Sequence, residues 1–268
     1  MNVGIVGYGI VGQATAHLFE SAAVYDPPKG YADPSILAGC GVLFVCVPTP
    51  TLPDGRCDVS ILYGAIEDIA RHLNKDQVVA VRSTVPPGTT RQLQEAFAQA
   101  HFAANPEFLR AHRAIEDMLR PSRVVIGADS VHSRQMLLNT YRSRLGERVP
   151  YVVTDSVTAE FIKYATNCFL ATKILYGRVI RKAAQRLGAD YEKVVRSLAL
   201  DPRVGAGEEW RLEGLRDECL PKDLTVFVGL LRRWRTERRL LETALEIKNE
   251  DLVRDRALST RGSRIRGG

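Results

Sequence analysis

The stretch Val3-Gly4-Ile5-Val6-Gly7-Tyr8-Gly9-Ile10-Val11-Gly12 decides the fold of this 268-residue chain. A short β-branched run is followed by glycines in the spacing G-x-G-x-x-G, and a helical pattern comes next. The first glycine permits a tight turn, the second lets backbone amides approach a pyrophosphate, and the third lets the helix pack closely on the strand. This order predicts a dinucleotide-binding unit of the Rossmann type, in which the cofactor meets Gly7, Tyr8, Gly9, Ile10, Val11 and Gly12.

An acidic residue at the end of the next predicted strand extends this motif. Asp26 stands 26 − 7 = 19 residues beyond Gly7, where a carboxylate binds the ribose diol of a dinucleotide. A negative charge at that position repels a 2′-phosphate. The sequence therefore predicts NAD rather than NADP as the cofactor.

Strand and helix patterns alternate through the first half of the chain. Apolar runs bounded by turn residues predict buried parallel strands at Val3–Val6, Ala22–Tyr25, Val42–Val47, Gln77–Val81 and Val124–Ile126. Helical spacing falls between them at Gly12–Ser21, Val59–Leu73 and Thr89–Gln99. The pattern predicts an α/β domain with a doubly wound parallel sheet over residues 1–150.

The pattern changes to helix after Asp155. One long amphipathic helix is predicted from Thr158 to about Leu187, with further helical segments at Tyr191–Leu198 and from Leu224 to about Arg256. We expect a mostly helical second domain over residues 151–258, connected through the long helix. The last residues, 259–268, are polar, basic and glycine-rich, and predict a disordered tail.

Three loops have the composition of segments at strand ends, where an open α/β sheet binds its ligands. The first contains Val47, Pro48 and Thr49, the second Ser83 and Thr84, and the third Asn105-Pro106-Glu107-Phe108-Leu109-Arg110. Each alone is an ordinary turn. Because all three would lie at strand ends of one sheet, we expect them to meet at one edge.

Two further patterns carry chemistry. Lys163 and Asn167 lie four residues apart on the long helix, in surroundings too apolar for an ordinary exposed lysine. A partly buried lysine beside an amide can stabilise an oxyanion. Cys219 precedes Lys222 and Asp223, and a nearby cation favours a reactive thiolate, although most free cysteines are small buried hydrophobes.

Composition limits the alternatives. Five cysteines without a CxxC pair predict neither a disulfide framework nor a metal site, and a reducing cytoplasm is expected. We expect a soluble protein, because the N-terminus lacks a secretory pattern and no apolar run is long enough to span a membrane. The formal charge of +6 is concentrated in residues 229–268, where 11 − 6 = +5. The arginines punctuate a helical pattern without interleaved aromatics, so a solvated or partner-facing surface is favoured over nucleic-acid binding.

Together these motifs resemble the UDP-glucose/GDP-mannose dehydrogenase family, which uses NAD to oxidise the C6 alcohol of a nucleotide sugar to a carboxylate. The matching stretches run in family order from Val3 to about Asn249 and include Asp201-Pro202-Arg203 and Cys219-Leu220-Pro221-Lys222-Asp223. The resemblance implies a nucleotide-sugar substrate and a homodimer formed through the long helix.

The resemblance also implies residue roles. Cys219 would form a thiohemiacetal and then a thioester, which Glu107 would help to hydrolyse. Lys163 and Asn167 would stabilise oxyanions, while Asp223 with Thr84 would hold the water for proton transfer. The remaining residues implied at the substrate are Phe108, Leu109, Arg110 and Arg203, the last reaching the substrate of the neighbouring subunit.

The sequence departs from the family at several positions. Arg216-Asp217-Glu218 replace a glycine pair, Ala111 replaces a glutamate near the cofactor, and the chain ends soon after Asn249, so that we expect the third domain to be absent. Glu208 and Glu209 are expected to repel a diphosphate, and Arg211 and Arg216 are expected to compensate in part. An impaired NAD-binding homologue and a two-electron 3-hydroxyacid-type dehydrogenase therefore stay open as alternatives.

Overall fold

A seven-stranded sheet organises the first part of the molecule. The computed structural model describes residues 2–212, 215 and 219–247. The strands are β1 Val3–Val6, β2 Ala23–Tyr25, β3 Val42–Val45, β4 Val78–Val81, β5 His101–Ala104, β6 Val124–Gly127 and β7 Tyr151–Thr154. Their order in the sheet is β2-β1-β3-β4-β5-β6-β7. The α/β architecture with a mostly parallel sheet is confirmed.

The sheet contains one antiparallel pair, which the prediction of a parallel sheet did not include. β5 and β6 run antiparallel and pair only through Ala104 and Gly127, whereas every other neighbouring pair is parallel. The connection between them carries the six-residue helix α4, Ala114–Leu119, which packs on α1. A parallel return needs a full crossover connection, and this one brings the chain back in the opposite direction.

Eight α-helices are described with defined bounds. They are α1 Ile10–Leu18, α2 Ser60–Ile69, α3 Thr89–Ala96, α4 Ala114–Leu119, α5 Val131–Leu145, α6 Ser156–Leu187, α7 Tyr191–Ala199 and α8 Cys219–Trp234. Each residue of β1, β3, β4 and β6 is buried, because helices cover both faces of the sheet. The two resulting cores are centred on Phe44 and Tyr141 on one face and on Leu62 and Leu93 on the other.

The helical segment predicted from Leu224 to about Arg256 is divided. α8 begins at Cys219 and ends at Trp234, and a second helical stretch covers 239–247. Arg235 adopts a φ of 56°, and the Thr236 amide donates to the Leu231 carbonyl at 3.2 Å. This left-handed residue ends α8 in the manner of a C-terminal cap. Residues 248–256 and the predicted tail, 259–268, lie outside the described residues.

The chain divides into two compact units within α6. The first comprises residues 1–52 and 57–163, and the second comprises 53–56 and 164 onward. In the first unit, an added Cβ on Gly127 would lie 2.4 Å from the Ala159 Cβ, so the end of β6 and the start of α6 pack closely. In the second unit, α7 packs on α6 through Tyr191 and Ala184, and the buried Trp210 joins that core.

The start of α6 is anchored by side chains of the first unit. Ser156 Oγ donates to Asp129 at 2.6 Å. The buried Glu160 carboxylate accepts from the Gly88 and Thr90 amides at the N-terminus of α3, at 2.5 and 2.8 Å. Burial raises the pKa of Glu160 in spite of these donors. These contacts fix the start of α6 and therefore the position of Lys163, which lies about one turn further along the helix.

Candidate active site

The glycine loop has the geometry that the sequence predicts for a dinucleotide. Gly7 has a φ of +89°, and an added Cβ would lie 2.9 Å from the Cys46 carbonyl oxygen. A Cβ on Gly12 would lie 2.1 Å from the Gly7 carbonyl oxygen, whereas a Cβ on Gly9 would meet nothing within 4 Å. The first and third glycines are therefore required by the protein's own backbone. The second borders open space, as a loop that receives a pyrophosphate requires.

Charges around this loop fit NAD. α1 begins at Ile10 with no side-chain cap and no acidic residue in its first turn, so its N-terminal amides can bind an anion. The Tyr8 amide donates to Asp26 Oδ2 at 2.6 Å, which places the carboxylate at the end of β2 directly beside the loop. The loop, the helix terminus and the carboxylate lie together as a dinucleotide site requires, and their contact with NAD stays a prediction.

Hydroxyl groups tie together the loops after β3 and β4. Thr49 Oγ1 donates to the Thr84 carbonyl at 2.7 Å, and Ser83 Oγ donates to the Val47 carbonyl at 2.7 Å. Pro48 lies exposed between these anchors. The structure thus brings together the five residues predicted for these loops, and the hydroxyls of Thr49 and Ser83 hold the two loops side by side. Their contact with the cofactor stays a prediction.

Glu107 and Lys163 form a buried ion pair in the first unit. Lys163 Nζ lies 3.0 Å from Glu107 Oε1 and donates to the Glu107 carbonyl at 2.6 Å. The two side chains are 5% and 12% exposed. Burial raises the pKa of Glu107, but the Lys163 charge and the Leu109 amide outweigh burial, so that the pKa lies below its ordinary value. Glu107 is consequently a carboxylate at neutral pH.

Two cations lie close to the Phe108 ring. The Arg123 guanidinium lies 3.8 Å from the ring centroid, and Lys163 Nζ lies 5.4 Å from it. A positive charge over an aromatic face is attracted by the ring quadrupole, so both contacts hold the loop in place. Arg123 was missed by the sequence interpretation, because it stands 15 residues beyond Phe108 and belongs to no local motif.

The neighbouring residues of the same loop are held by acidic groups. The Leu109 amide donates to Glu107 Oε2 at 2.6 Å. Arg110 binds Asp117 through its backbone amide and its Nε, each at 2.9 Å, and through Nη2 at 2.5 Å. Arg110 was predicted to bind substrate. In the structure its guanidinium binds the Asp117 carboxylate through two nitrogens. The hydrogen bonds from Arg110 lower the pKa of Asp117.

The second unit brings Asn167 and Asp223 together. Asn167 Nδ2 donates to Asp223 Oδ2 at 2.6 Å, and Lys222 Nζ donates to Oδ1 at 2.6 Å. Asp223 is fully buried, so both oxygens are satisfied by donors from two helices. Cys168 is buried close by, and burial together with the Asp223 charge raises the pKa of its thiol. Cys168 is therefore a neutral thiol.

Cys219 is the first residue of α8 and is exposed. A helix N-terminus stabilises a thiolate through its free amides and dipole, in addition to any nearby cation. Cys40 and Cys168 are buried, whereas Cys46 and Cys57 are half-buried. Cys219 is the most accessible of the five thiols. Residues 216–218, which precede it, lie outside the described residues.

Arg203 and Glu209 have partners within the second unit. The Arg203 side chain is 88% exposed and forms a fork with Asp201, with Nη2 at 2.6 Å from Oδ2. Glu209 Oε2 lies 3.4 Å from Lys173 Nζ. The charge of Glu209 is thus largely compensated, which reduces the repulsion of a diphosphate expected from the sequence.

No group of three or more His, Cys, Asp and Glu side chains is placed to hold a metal ion in the described part of the chain. Among the described helices, none combines the length and apolar character that crossing a membrane requires.

The Rossmann-type unit, with its uncapped α1 terminus and Asp26 at the end of β2, has the features of a dinucleotide-binding domain. Sequence models of the UDP-glucose/GDP-mannose dehydrogenase family match the chain twice, as the NAD binding domain over residues 33–144 and as the central domain over 157–250. The chain belongs to this family. The central-domain match includes Lys163, Asn167, Cys219 and Asp223.

Named relatives agree with this assignment. UDP-glucose 6-dehydrogenase of Rickettsia bellii is 34% identical over 78% of this chain and 49% of the relative. That of Rhizobium meliloti is 35% identical over 87% of this chain and 54% of the relative. A solved UDP-glucose dehydrogenase from Pyrobaculum islandicum superposes with a TM-score of 0.82 at 28% identity, covering 93% of this chain and 68% of that one. The chain spans about half the length of the curated relatives it matches.

Proposed function

We propose that the chain belongs to an NAD-dependent nucleotide-sugar 6-dehydrogenase, which oxidises the C6 alcohol of a UDP-glucose-like substrate to the carboxylate. The overall reaction converts one alcohol, two NAD and one water to one carboxylate, two NADH and three protons. The observation that supports it is that two residues one turn apart on α6 each hold a carboxylate: Lys163 binds Glu107 in the first unit, and Asn167 binds Asp223 of α8 in the second. Oxidation of an aldehyde to an acid needs both oxyanion stabilisation and a covalent holder.

NAD, when bound at the glycine loop, accepts the hydride in each of the two oxidations. Cys219 supplies the covalent holder in this proposal. Its sulfur adds to the C6 aldehyde, and the second oxidation turns that adduct into a thioester. Water then cleaves the carbon–sulfur bond, which releases the carboxylate and returns the thiol.

The other residues stabilise the developing negative charge or accept and hold water. The Lys163 ammonium has one N–H donor beyond the two that Glu107 accepts, so it can stabilise negative charge on the C6 oxygen. Asn167 can support the same charge, while Asp223 keeps the amide oriented through its 2.6 Å hydrogen bond. Glu107, held as a carboxylate, is suited to take the proton of the hydrolytic water. Thr84 is proposed to hold a water with Asp223.

Counting NADH distinguishes this proposal from its alternatives. Incubation with excess NAD and UDP-glucose should yield two NADH for each sugar consumed. One NADH per substrate would indicate a two-electron dehydrogenase, and NAD binding without NADH would indicate an impaired homologue. Cys219→Ser is the diagnostic variant, since serine is a poor nucleophile at neutral pH. We expect it to keep NAD affinity and lose acid formation, with Cys40→Ser as the control.

We further propose that two copies pair along α6. Phe169, Tyr176, Val179 and Leu187 are exposed by 66%, 52%, 49% and 81%. At about 100° per residue these positions fall within one sector of roughly 80° on the helix. A continuous apolar stripe of this kind is typical of a helix that packs on a partner. A second copy would bring the same stripe to the interface by two-fold symmetry.

Sedimentation velocity tests the dimer. Tyr176→Glu should shift the species from dimer to monomer, because it places a charge in an apolar interface. Gln185→Glu is the matched control, since Gln185 is exposed on the opposite side of the same helix. A monomeric unmodified chain, or a dimer that Tyr176→Glu leaves intact, would contradict the assignment of this face.

A further inference from the structure

Arg82 is a buried cation whose hydrogen-bond partners are all neutral. It directly follows β4 and is 4% exposed. Its Nε has no hydrogen-bond partner in the described part of the chain. Arginine does not lose its proton in proteins, so the charge stays. A buried charge without an opposite charge is one of the costliest arrangements in a protein, and its presence calls for a compensating anion.

The guanidinium belongs to a three-residue cluster. Arg82 Nη1 donates to Asn105 Oδ1 at 2.8 Å and to the Tyr141 hydroxyl. The Tyr141 hydroxyl in turn donates to Asn105 Oδ1 at 2.6 Å. Asn105 Nδ2 donates to the Val125 carbonyl at 2.8 Å. The Asn105 side chain thus connects β5 to β6 at the point where these strands share a single backbone pairing.

The Arg82 charge acts on three titratable groups, Cys46, Glu107 and Tyr141. Burial raises the pKa of Cys46 to about 11 and raises the pKa of Tyr141, so both are neutral in the working range. Glu107 is an acid two residues beyond Asn105, and Lys163 is its direct partner. The Arg82 charge acts on Glu107 in the same direction as the Lys163 charge and favours the carboxylate.

We propose that Arg82 is a positioning residue for Glu107, which fixes the 105–110 loop through Asn105 and supplies the Glu107 carboxylate with a second positive charge. The proposal deepens the proposed function and rests on it for its purpose. In the proposed reaction, the Lys163 ammonium also donates to the substrate oxygen and so stabilises Glu107 less. Glu107 then still has a cation nearby and stays ionised, ready to accept a proton from water.

Direct titration of Glu107 tests the proposal without turnover. The protein is labelled with carboxyl-¹³C glutamate, and the Glu107 signal is assigned by its loss in Glu107→Gln. Arg82→Gln removes the charge, and Tyr141→Phe removes one hydroxyl of the same cluster but keeps the charge. We expect the Glu107 midpoint to move to higher pH by about half a unit or more in Arg82→Gln. It should not move in Tyr141→Phe.

The outcomes are distinct. If the Glu107 midpoint does not move in Arg82→Gln, the proposal is overturned. If it moves equally in Tyr141→Phe, the electrostatic role is overturned, because any disturbance of the 105–110 loop would then shift the Glu107 midpoint. Arg82→Lys keeps the charge and should titrate like the unmodified protein. If Arg82→Gln does not fold, Arg82→Met replaces it, since an unbranched apolar chain suits the Phe44 ring and the Met118 sulfur around the guanidinium.

If neither neutral variant folds, Lys163→Met decides. There Arg82 is the remaining cation for Glu107, and a midpoint still below neutral pH supports the proposal, whereas one above neutral pH overturns it. A protein that shows no NADH formation contradicts the proposed function but leaves the titration result intact. Where turnover exists, the acid limb of kcat should move up in Arg82→Gln while the KM for NAD stays unchanged.

Discussion

Replacement of Lys163 by methionine tests how firmly Glu107 depends on its partner. The Lys163 side chain is 5% exposed and makes two contacts to Glu107, at 2.6 and 3.0 Å. Methionine fills a similar volume but leaves the carboxylate buried beside an apolar chain. Breaking a buried pair from one side costs about 3–5 kcal/mol, because an uncompensated charge stays behind. For a chain of this size the expected fall in Tm is roughly 6–20 °C.

The pH dependence separates this cause from lost packing. In the unmodified protein the pKa of Glu107 lies below its ordinary value, so its stabilisation is present at neutral pH and is lost as pH falls through the folded-state pKa. In Lys163→Met the main cation is gone and burial raises the pKa of Glu107. The carboxyl is then protonated more readily in the folded state. The difference in unfolding free energy should therefore be largest at neutral pH and shrink in acid.

Urea denaturation followed by far-ultraviolet circular dichroism, at neutral pH and near pH 5, measures both quantities. Lys193→Met is the matched control, since Lys193 is 77% exposed and lies 3.6 Å from Asp190. Exposed pairs contribute little, so this control should not change stability measurably. A destabilisation by Lys163→Met that is equal at both pH values would refute the reasoning. So would a loss no larger than that of the control.

Three other expectations concern the cofactor loop and the thiols. Gly12→Ala should abolish NAD binding, measured by calorimetry, and lower stability, because the added Cβ would lie 2.1 Å from the Gly7 carbonyl oxygen. Retained NAD affinity would contradict this and show that the loop can shift. Asp26→Ser should reduce the preference for NAD over NADP measured as a ratio of dissociation constants, and equal binding of both by the unmodified protein would contradict the assignment of Asp26. Iodoacetamide near pH 8 should modify Cys219 first and spare Cys46, whose pKa is raised to about 11 by burial; mass spectrometry of the peptides shows the order, and faster labelling of Cys46 would contradict it.

The sequence by itself determined the α/β class, the glycine loop and most strands of the sheet. Strands such as β1, β3 and β4 are continuous apolar runs, and such runs are readable because both faces of the strand are covered. β5 and β7 escaped prediction. β5 is His101-Phe102-Ala103-Ala104, with little β propensity, and β7 is an edge strand whose Val152 and Val153 are each 38% exposed. α5 was missed as well, because its apolar residues do not gather on one face.

Only the tertiary structure decided which side chains meet. The Glu107–Lys163 and Asn167–Asp223 pairs each join residues 56 positions apart, a distance over which sequence spacing carries no geometric information. The same holds for Arg82, whose partners Asn105 and Tyr141 lie 23 and 59 residues away. Local patterns report the surroundings of a residue along its own helix or strand. The charge that a buried group meets depends on how those elements pack, and that packing sets the ionisation of Glu107.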